Sequence, residues 1–217
     1  MAKNKKIKTK NNNKINKVVK IMVFSDLFIN SGWGLISPIL AIYIIGNIKN
    51  GDAEVVGIAV GIYWLVKSIL QIPIANHLDV NHGEKDDYYA LIGGTLLTSF
   101  VPLGFIFATL PWHIYLLQAT HALGMAFALP SWWAIFTRHI EKKREAFCWS
   151  LDSSALGLGV GVCGIIGGII AKAFGFIPLF IAVSVLGIIA SIVLLFITKD
   201  ILLKVPRQGV FSVTKHE

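Results

Sequence analysis

Charged residues are scarce in this sequence: Asp, Glu, Lys and Arg make up 15% of the 217 residues, whereas soluble globular domains carry about 25%. Cysteine is nearly absent. The two cysteines, Cys148 and Cys163, fall on one predicted helix about 22 Å apart, too far for a disulfide. The sequence also lacks paired catalytic carboxylates, a nucleophile motif and a phosphate-binding loop. We therefore expect neither an enzyme nor a cofactor. What is abundant is hydrophobic residues, at 55%.

Six apolar runs predict six transmembrane helices, because about 20 residues at 1.5 Å each cross a hydrocarbon core about 30 Å thick. The predicted spans are 21–45, 55–75, 88–110, 112–136, 147–174 and 176–198. The predicted fold class is thus an all-α integral membrane protein, with one six-helix bundle over residues 18–198. Residues 1–17 are predicted to be a disordered basic tail, and residues 199–217 a C-terminal tail. The first run is too long for a secretory signal and no cleavage site follows it, which predicts an uncleaved first span.

The basic residues are distributed unevenly, and this predicts the orientation in the membrane. Of the 20 Lys and Arg, eight lie in the first 20 residues, and only Lys49 and Lys172 lie toward the opposite side. The positive-inside rule then places both termini in the cytoplasm of a multi-pass cell-membrane protein. The formal net charge of +8 is a topology signal rather than a sign of nucleic-acid binding, and the lipid bilayer is the expected partner.

Polar residues inside the predicted spans are the first candidates for function, since a charge at membrane depth costs about 2.5–3.5 kcal/mol on insertion scales. Asp26, Asn30, Trp33 and Ser37 fall on one face of the first span. We interpret that face as the lining of a cavity, with a hydrogen-bonded packing face as the alternative. Lys67 of the second span is expected at nearly the depth of Asp26. Either the two form an ion pair, or Lys67 snorkels toward the interface alone.

The fourth span carries a second polar face, formed by Gln118, His121, Met125 and Trp132. His121 is expected near mid-membrane, where an imidazole can carry a proton, contact a solute or bond to a neighbouring helix. Asp152, near the start of the fifth span, is predicted to stabilise the N-terminus of that helix through the helix dipole.

Glycines form smooth strips on two spans, and such strips let another helix approach closely in lipid. They are predicted helix–helix interfaces, either with a partner bundle or within the chain. The glycines concerned are Gly57 and Gly61 on the second span and Gly157, Gly161, Gly164 and Gly168 on the fifth.

The stretch HLDVNHGEK, residues 77–85, joins the second and third predicted spans. His77 and His82 could be metal ligands, but neighbouring side chains on one turn seldom converge on an ion, and no second cluster supports them. We therefore expect no metal and interpret the segment as a cytoplasmic connection.

Together these segments resemble the major facilitator superfamily. The first span, FSDLFINSGWGLISPILAIYI, is similar to the family's opening helix with its Gly34–Pro38 pair, and LVKSILQIPIANHLDVNHGEKDD is similar to its signature after the second span. QATHALGMAFALPSWWAIFTR and the glycine-rich fifth span follow the family pattern too. More narrowly, the chain resembles the N-terminal half of drug/proton antiporter-like members. It departs at Val80, where the family has a basic residue, and the turn is one residue longer.

The resemblance implies a particular assembly. Members of the family have two six-helix halves related by an axis along the membrane normal, so this chain would supply one half and a homodimer would rebuild the whole. A separate second half is the other arrangement. By analogy, the second span of one copy would pack on the fifth span of the other. Asp79, Gly83 and Lys85 would form the gating turn, with Asp79 approaching the N-terminus of the partner's fifth span.

The resemblance also implies secondary transport of a small, partly apolar solute by alternating access. Asp26 or His121 would carry a coupled proton, although uncoupled facilitated diffusion stays open. The competing hypothesis is a non-transporting membrane scaffold or accessory subunit. The residues that would contact the solute are Asn30, Trp33, Gln118, His121 and Trp132.

Overall fold

The computed structural model describes residues 15–80 and 83–202, and the regular secondary structure of those residues is entirely α-helical. In chain order the helices are α1 Lys17–Ile36, α2 Leu40–Asn47, α3 Ala53–Val80, α4 Glu84–Ile106, α5 Pro111–His139, α6 Glu145–Phe174, α7 Ile177–Leu195 and α8 Thr198–Leu202. Most of the two predicted tails, and His82 of the HLDVNHGEK segment, lie outside the described residues.

Five of these helices, α1, α3, α4, α6 and α7, are long and apolar enough to cross a membrane. This agrees with the predicted all-α membrane class. The fourth predicted span corresponds to α5, which has 29 residues and is not one of these five. α5 buries polar side chains inside the bundle, among them Gln118, His121 and Ser131. A helix with such an inward-facing polar face is not apolar all round.

The first predicted span is divided into α1 and α2 at Pro38. Proline has no N–H, and its ring clashes with the carbonyl group four residues earlier, here that of Gly34. Ser37 ends α1, and its hydroxyl donates to the carbonyl oxygen of Trp33 at 2.7 Å. The helical path resumes at Leu40, so the interruption lies next to Trp33 and Ser37.

Pro73, by contrast, does not end α3, which continues to Val80, beyond the predicted end at residue 75. The predicted gating turn is therefore spread over two helices. Asp79 lies on the last turn of α3, Gly83 is the N-cap of α4, and Lys85 lies on the first turn of α4. Gly83 has φ −116° and extended backbone, so this position does not use the left-handed freedom of glycine.

The long helices pack as a curved row. α3 packs on α5, α5 on α4, α4 on α7, α7 on α1, and α1 on α6. α3 and α6 are therefore the two ends of the row, and they are not among the described helix pairs that pack extensively on each other. Each of these two helices is covered on one side only.

Two apolar clusters hold the row together, one toward each end of the bundle. The first joins the starts of α1 and α4 to the ends of α5 and α7, with Met22 and Phe136 fully buried. The second joins α2 to the end of α4 and the start of α7, where Phe105 and Phe180 are buried. The Tyr43 hydroxyl donates to the carbonyl oxygen of Phe105 at 2.5 Å. The middle of the bundle lies between these clusters.

An ion pair that the sequence did not predict joins α4 to α5. Arg138 donates from Nη1 to Oδ2 of Asp87, whose side chain is 1% exposed. Glu84 and His139 lie 3.9 Å apart beside it. Acidic residues on the first turn of α4 and basic residues on the last turn of α5 each complement the dipole of their own helix. Since the two helices are packed neighbours, the opposite charges meet.

Replacing Arg138 by methionine should destabilise the bundle, because it leaves the Asp87 carboxylate buried and unpaired. Breaking a buried pair costs about 3–5 kcal/mol; the Arg138 side chain is 36% exposed, so we expect a smaller loss. Asp87→Asn should cost less than Arg138→Met, since it leaves a half-buried arginine that can reach water. The double variant should recover part of the loss. Thermal unfolding in detergent measures all three, and an Arg138→Met melting temperature equal to the native one would contradict the assignment.

Candidate functional site

A cavity of about 370 Å³ lies among the long helices. Its volume is within the range of about 300–1,000 Å³ that is usual for small-molecule sites. Five helices contribute to the lining: α1, α3, α4, α5 and α6. All of the long helices except α7 therefore face this space.

The polar face predicted on the first span lines the cavity. Asp26, Asn30, Trp33 and Ser37 are all lining residues. The side-chain amide of Asn30 donates to the backbone carbonyl oxygen of Asp26 at 2.9 Å, which orients the amide one turn along α1. The polar stripe thus follows the cavity along most of α1.

His121 is stacked between two aromatic rings. Its centroid lies 3.7 Å from that of Trp33, with the ring planes 4° apart, and 4.7 Å from that of Tyr63. All three rings line the cavity. The structure thus brings together Trp33 and His121, two of the predicted solute contacts, and adds Tyr63 of α3. Tyr63 could have been found from its position one helical turn before Lys67.

A second aromatic group lines the cavity where α5 faces α6. Trp132 stacks on Phe136 with ring centroids 4.5 Å apart and lies 5.9 Å from Trp149. Trp132, Trp133 and Trp149 are lining residues. Nε1 of Trp132 is buried without a hydrogen-bond partner among the described residues. Aromatic surface with a few polar atoms suits a partly apolar solute.

Two predicted site residues lie outside the lining. Gln118 is buried, at 6% exposure, but does not face the cavity. Within the described chain no ion pair joins Lys67 to Asp26. Instead Nζ of Lys67 lies 4.1 Å from the Trp64 ring centroid and 5.4 Å from that of Tyr63. Lys67 contacts its own helix because α3 packs on α5 rather than on α1, so equal depth did not bring the two charges together.

Asp152 is the cavity residue that the sequence analysis assigned elsewhere. Its predicted role at the helix N-terminus is wrong, because α6 begins at Glu145 and Asp152 lies about two turns inside. The side chain lines the cavity and is 8% exposed, and Oδ1 is buried with no hydrogen-bond partner in the described chain. The spacing of Trp149, Asp152 and Leu156 places all three on one helical face, a pattern that could have revealed this position.

The predicted glycine strips contain both open and covered positions. A Cβ atom built at any of five glycines would meet no atom within 4 Å: Gly57, Gly61, Gly157, Gly161 and Gly168. At Gly164 it would lie 3.6 Å from the carbonyl oxygen of Gly34. Gly159 and Gly167, which were not predicted, face α1, and a Cβ at Gly167 would overlap the carbonyl oxygen of Leu35. α6 thus has one covered and one open glycine face.

The metal interpretation of the HLDVNHGEK segment receives no support from the described residues. Among them, no group of three or more His, Cys, Asp or Glu side chains could hold a metal ion. His77 lies exposed on the last turn of α3. The cavity, not this connection, is the candidate site.

A bundle of apolar helices around a cavity with polar and aromatic walls is typical of a multi-pass helical membrane protein. A comparison with known families matches residues 22–212 to the Major Facilitator Superfamily. Because the match covers most of the chain, the protein belongs to the Major Facilitator Superfamily. The members of this family are membrane transporters.

A comparison with curated proteins finds an uncharacterized MFS-type transporter of Methanocaldococcus jannaschii, 26% identical over 176 residues. The alignment covers 81% of this chain and 43% of that relative. This chain therefore spans less than half the length of the curated relative it matches.

Proposed function

We propose that this chain acts as one six-helix half of a secondary transporter that moves a small solute by alternating access. The cavity of about 370 Å³ carries this proposal, since polar side chains from several helices converge on it. Polar groups inside a membrane bundle are costly and typically mark a solute pathway. In this arrangement α5 also crosses the membrane, which brings the number of spans to six. An even number of crossings and the basic N-terminal segment favour two cytoplasmic termini at the cell membrane.

The exposed faces of α3 and α6, the two ends of the helix row, favour the presence of a second six-helix half. In the most apolar 18-residue segment of α6 only 6% of residues are buried, and in α3 17%, against 50% in α1. Lipid could cover such faces. The open positions at Gly61 and Gly161, however, offer bare backbone, which favours contact with another helix over contact with lipid.

A second copy of this chain is the proposed partner. Two bundles with both termini on the same side can be related by a two-fold axis along the membrane normal without inversion. Every contact is then made twice, with α3 of each copy on α6 of the other. A distinct six-helix partner would use the same faces and is a separate outcome of the experiments below.

The lining residues have different proposed roles. Asn30, Trp33, His121 and Trp132 contact the solute, whereas Gln118 is left out because it lies outside the lining. Asp26 takes up and releases a proton as the cavity changes sides, with His121 as the other candidate. Proton coupling would make the protein a symporter or an antiporter.

Uptake into proteoliposomes should depend on a proton gradient in the native protein and lose that dependence in Asp26→Asn. The variant keeps the shape of the side chain, but its amide cannot take up and release a proton. Asp86→Asn is the matched control, because Asp86 is an exposed acidic residue on the first turn of α4. The measurement uses a panel of radiolabelled amines, sugars and carboxylates, with and without an imposed gradient.

The outcomes separate the hypotheses. Equal gradient dependence in the native protein and Asp26→Asn would remove Asp26 from coupling. Gradient-independent uptake by the native protein would indicate facilitated diffusion. A folded protein that transports nothing in the panel, and exchanges no solute across the membrane, would favour the scaffold.

A further inference from the structure

Two segments that are distant in the sequence, the start of α1 and the connection between α5 and α6, meet at one end of the bundle. The side-chain amide of Asn16 donates to the carbonyl oxygen of His139 at 3.1 Å, which joins the start of α1 to the end of α5. Val19 of α1, Phe136 of α5 and Cys148 of α6 lie in one buried apolar cluster. The two segments are therefore held as neighbours on the surface of this end.

Both segments carry exposed basic side chains that the described chain does not neutralise. Lys20 on α1 and Lys142 and Lys143 in the connection are exposed, and none of the three forms an ion pair with a described residue. Lys17, about one turn before Lys20, differs because it pairs with Asp200 at 2.9 Å. Three ammonium groups at this end thus remain available to an anion.

Arg144 adds a guanidinium group with hydrogen-bonding capacity to spare. Its Nη1 is buried without a hydrogen-bond partner among the described residues, and it lies 3.9 Å from Oε2 of Glu141, which is too long for a hydrogen bond. The guanidinium carbon lies 4.9 Å from the ring centroid of Phe147, and Phe147 is 50% exposed. A basic group and an open aromatic ring therefore lie side by side. We define the basic patch as Lys20, Lys142, Lys143 and Arg144.

The acidic residues of the connection reduce the charge of the basic patch but do not cancel it. Glu141 lies beside Arg144, and the carboxylate of Glu145 accepts from the backbone N–H of Lys143 at 3.1 Å. Two carboxylates thus stand against four basic side chains. The basic patch keeps a net positive charge, which attracts anions.

The surroundings of the basic patch indicate the kind of anion. Phosphate oxygens accept hydrogen bonds from both guanidinium and ammonium groups, and clusters of Lys and Arg next to a membrane-spanning helix attract anionic headgroups. Exposed aromatic rings at the ends of such helices lie at the level of the headgroups, as Phe147 would. A free phosphate ion would use the basic side chains alone, whereas a phospholipid would also cover the Phe147 ring.

We propose that the basic patch binds the headgroup phosphate of an anionic phospholipid, with Phe147 against the first part of an acyl chain. The lipid would then join the start of α1 to the connection between α5 and α6 from outside. This site lies at one end of the bundle, away from the central cavity, and it does not depend on the proposed transport function.

Native mass spectrometry of the detergent-purified full chain, titrated with phosphatidylglycerol or with phosphatidylcholine, tests the proposal. The native protein should prefer phosphatidylglycerol. Lys142→Gln combined with Lys143→Gln should raise the Kd for phosphatidylglycerol by about tenfold or more, and replacing the same two residues by arginine should leave it nearly unchanged. Lys49→Gln combined with Lys172→Gln is the matched control, because both lysines are exposed and lie toward the opposite end of the bundle.

Three results would overturn the proposal. The first is equal affinity of the native protein for the two lipids. The second is a Kd for phosphatidylglycerol that the glutamine pair at Lys142 and Lys143 leaves unchanged, or that the control pair raises as much. The third is complete displacement of phosphatidylglycerol by millimolar inorganic phosphate, which would assign the basic patch to a free anion. All of the substituted side chains are exposed, so equal melting temperatures show that a lost affinity is not lost folding.

Discussion

A leucine in place of Gly167 will prevent α1 and α6 from packing and will strongly reduce the yield of folded protein. Gly167 is buried, and a Cβ atom there would overlap the carbonyl oxygen of Leu35. Overpacking a core typically costs about 1–3 kcal/mol, and sometimes more. Here we expect the upper end, because the obstacle is the backbone of another helix, which cannot give way by a change of rotamer. The monodisperse fraction in size-exclusion chromatography and the melting temperature measure the loss.

Gly161→Leu is the matched control on the same helix. The substitution is identical, so the gain in helix propensity of about 1 kcal/mol over glycine applies to both variants and cancels. A Cβ at Gly161 meets nothing within 4 Å, and the isolated bundle should fold as the native one does. Equal loss of folded protein in Gly161→Leu and Gly167→Leu would show that α6 does not pack on α1 through the face containing Gly167.

The sequence predicted the cavity face of α1 because polar residues are rare in apolar spans and helical spacing places them on one side. Asp26, Asn30, Trp33 and Ser37 all line the cavity. Periodicity within one helix carries no information about which helices lie side by side. An ion pair between Lys67 and Asp26 was one of two alternatives, suggested by their equal depth on consecutive helices, yet α3 packs on α5. Lateral order follows from side-chain packing between helices, which single-helix patterns do not contain.

The distance of Asp152 from the start of α6 explains its misassignment. Hydropathy started the fifth span at residue 147, since Arg144 and Glu145 are charged, but the helix itself begins at Glu145. A helix can extend past the apolar segment into the headgroup region, where charged side chains are solvated. A role at the helix N-terminus depends on the first turn alone, and Asp152 lies beyond the first turn whether the helix is counted from residue 147 or from Glu145.

Glycine spacing identified candidates for close helix contacts but not their partners. Gly157 and Gly161 were predicted and are open, whereas Gly159 and Gly167 were overlooked and carry the contact with α1. A glycine in an apolar span permits a close approach from any direction, and only the packed bundle decides which side is already occupied. The faces that remain open are therefore where the proposed partner would pack.

Bulky residues at the open glycines should abolish association while leaving each bundle folded. Gly61→Leu and Gly161→Leu each fill a face that the proposed interface between α3 and α6 would occupy. We expect the dimer dissociation constant in lipid to rise at least about tenfold, equivalent to 1.4 kcal/mol, and uptake to fall with it. Gly93→Leu is the control, since Gly93 is exposed on α4 with nothing within 4 Å of its Cβ.

Cysteine cross-linking identifies the partner directly. With Cys148 and Cys163 replaced by serine, Gly61→Cys and Gly161→Cys in one chain should yield a disulfide-linked dimer, because the two positions would meet across the proposed two-fold axis. Gly93→Cys with Gly161→Cys should stay monomeric, since α4 lies in the middle of the row. A monodisperse monomer that still transports would contradict the homodimer. A cross-linked product that contains this chain and a different chain would instead identify a distinct second half on the same two faces. The open glycines constrain where a partner packs, but they do not determine which chain supplies the partner.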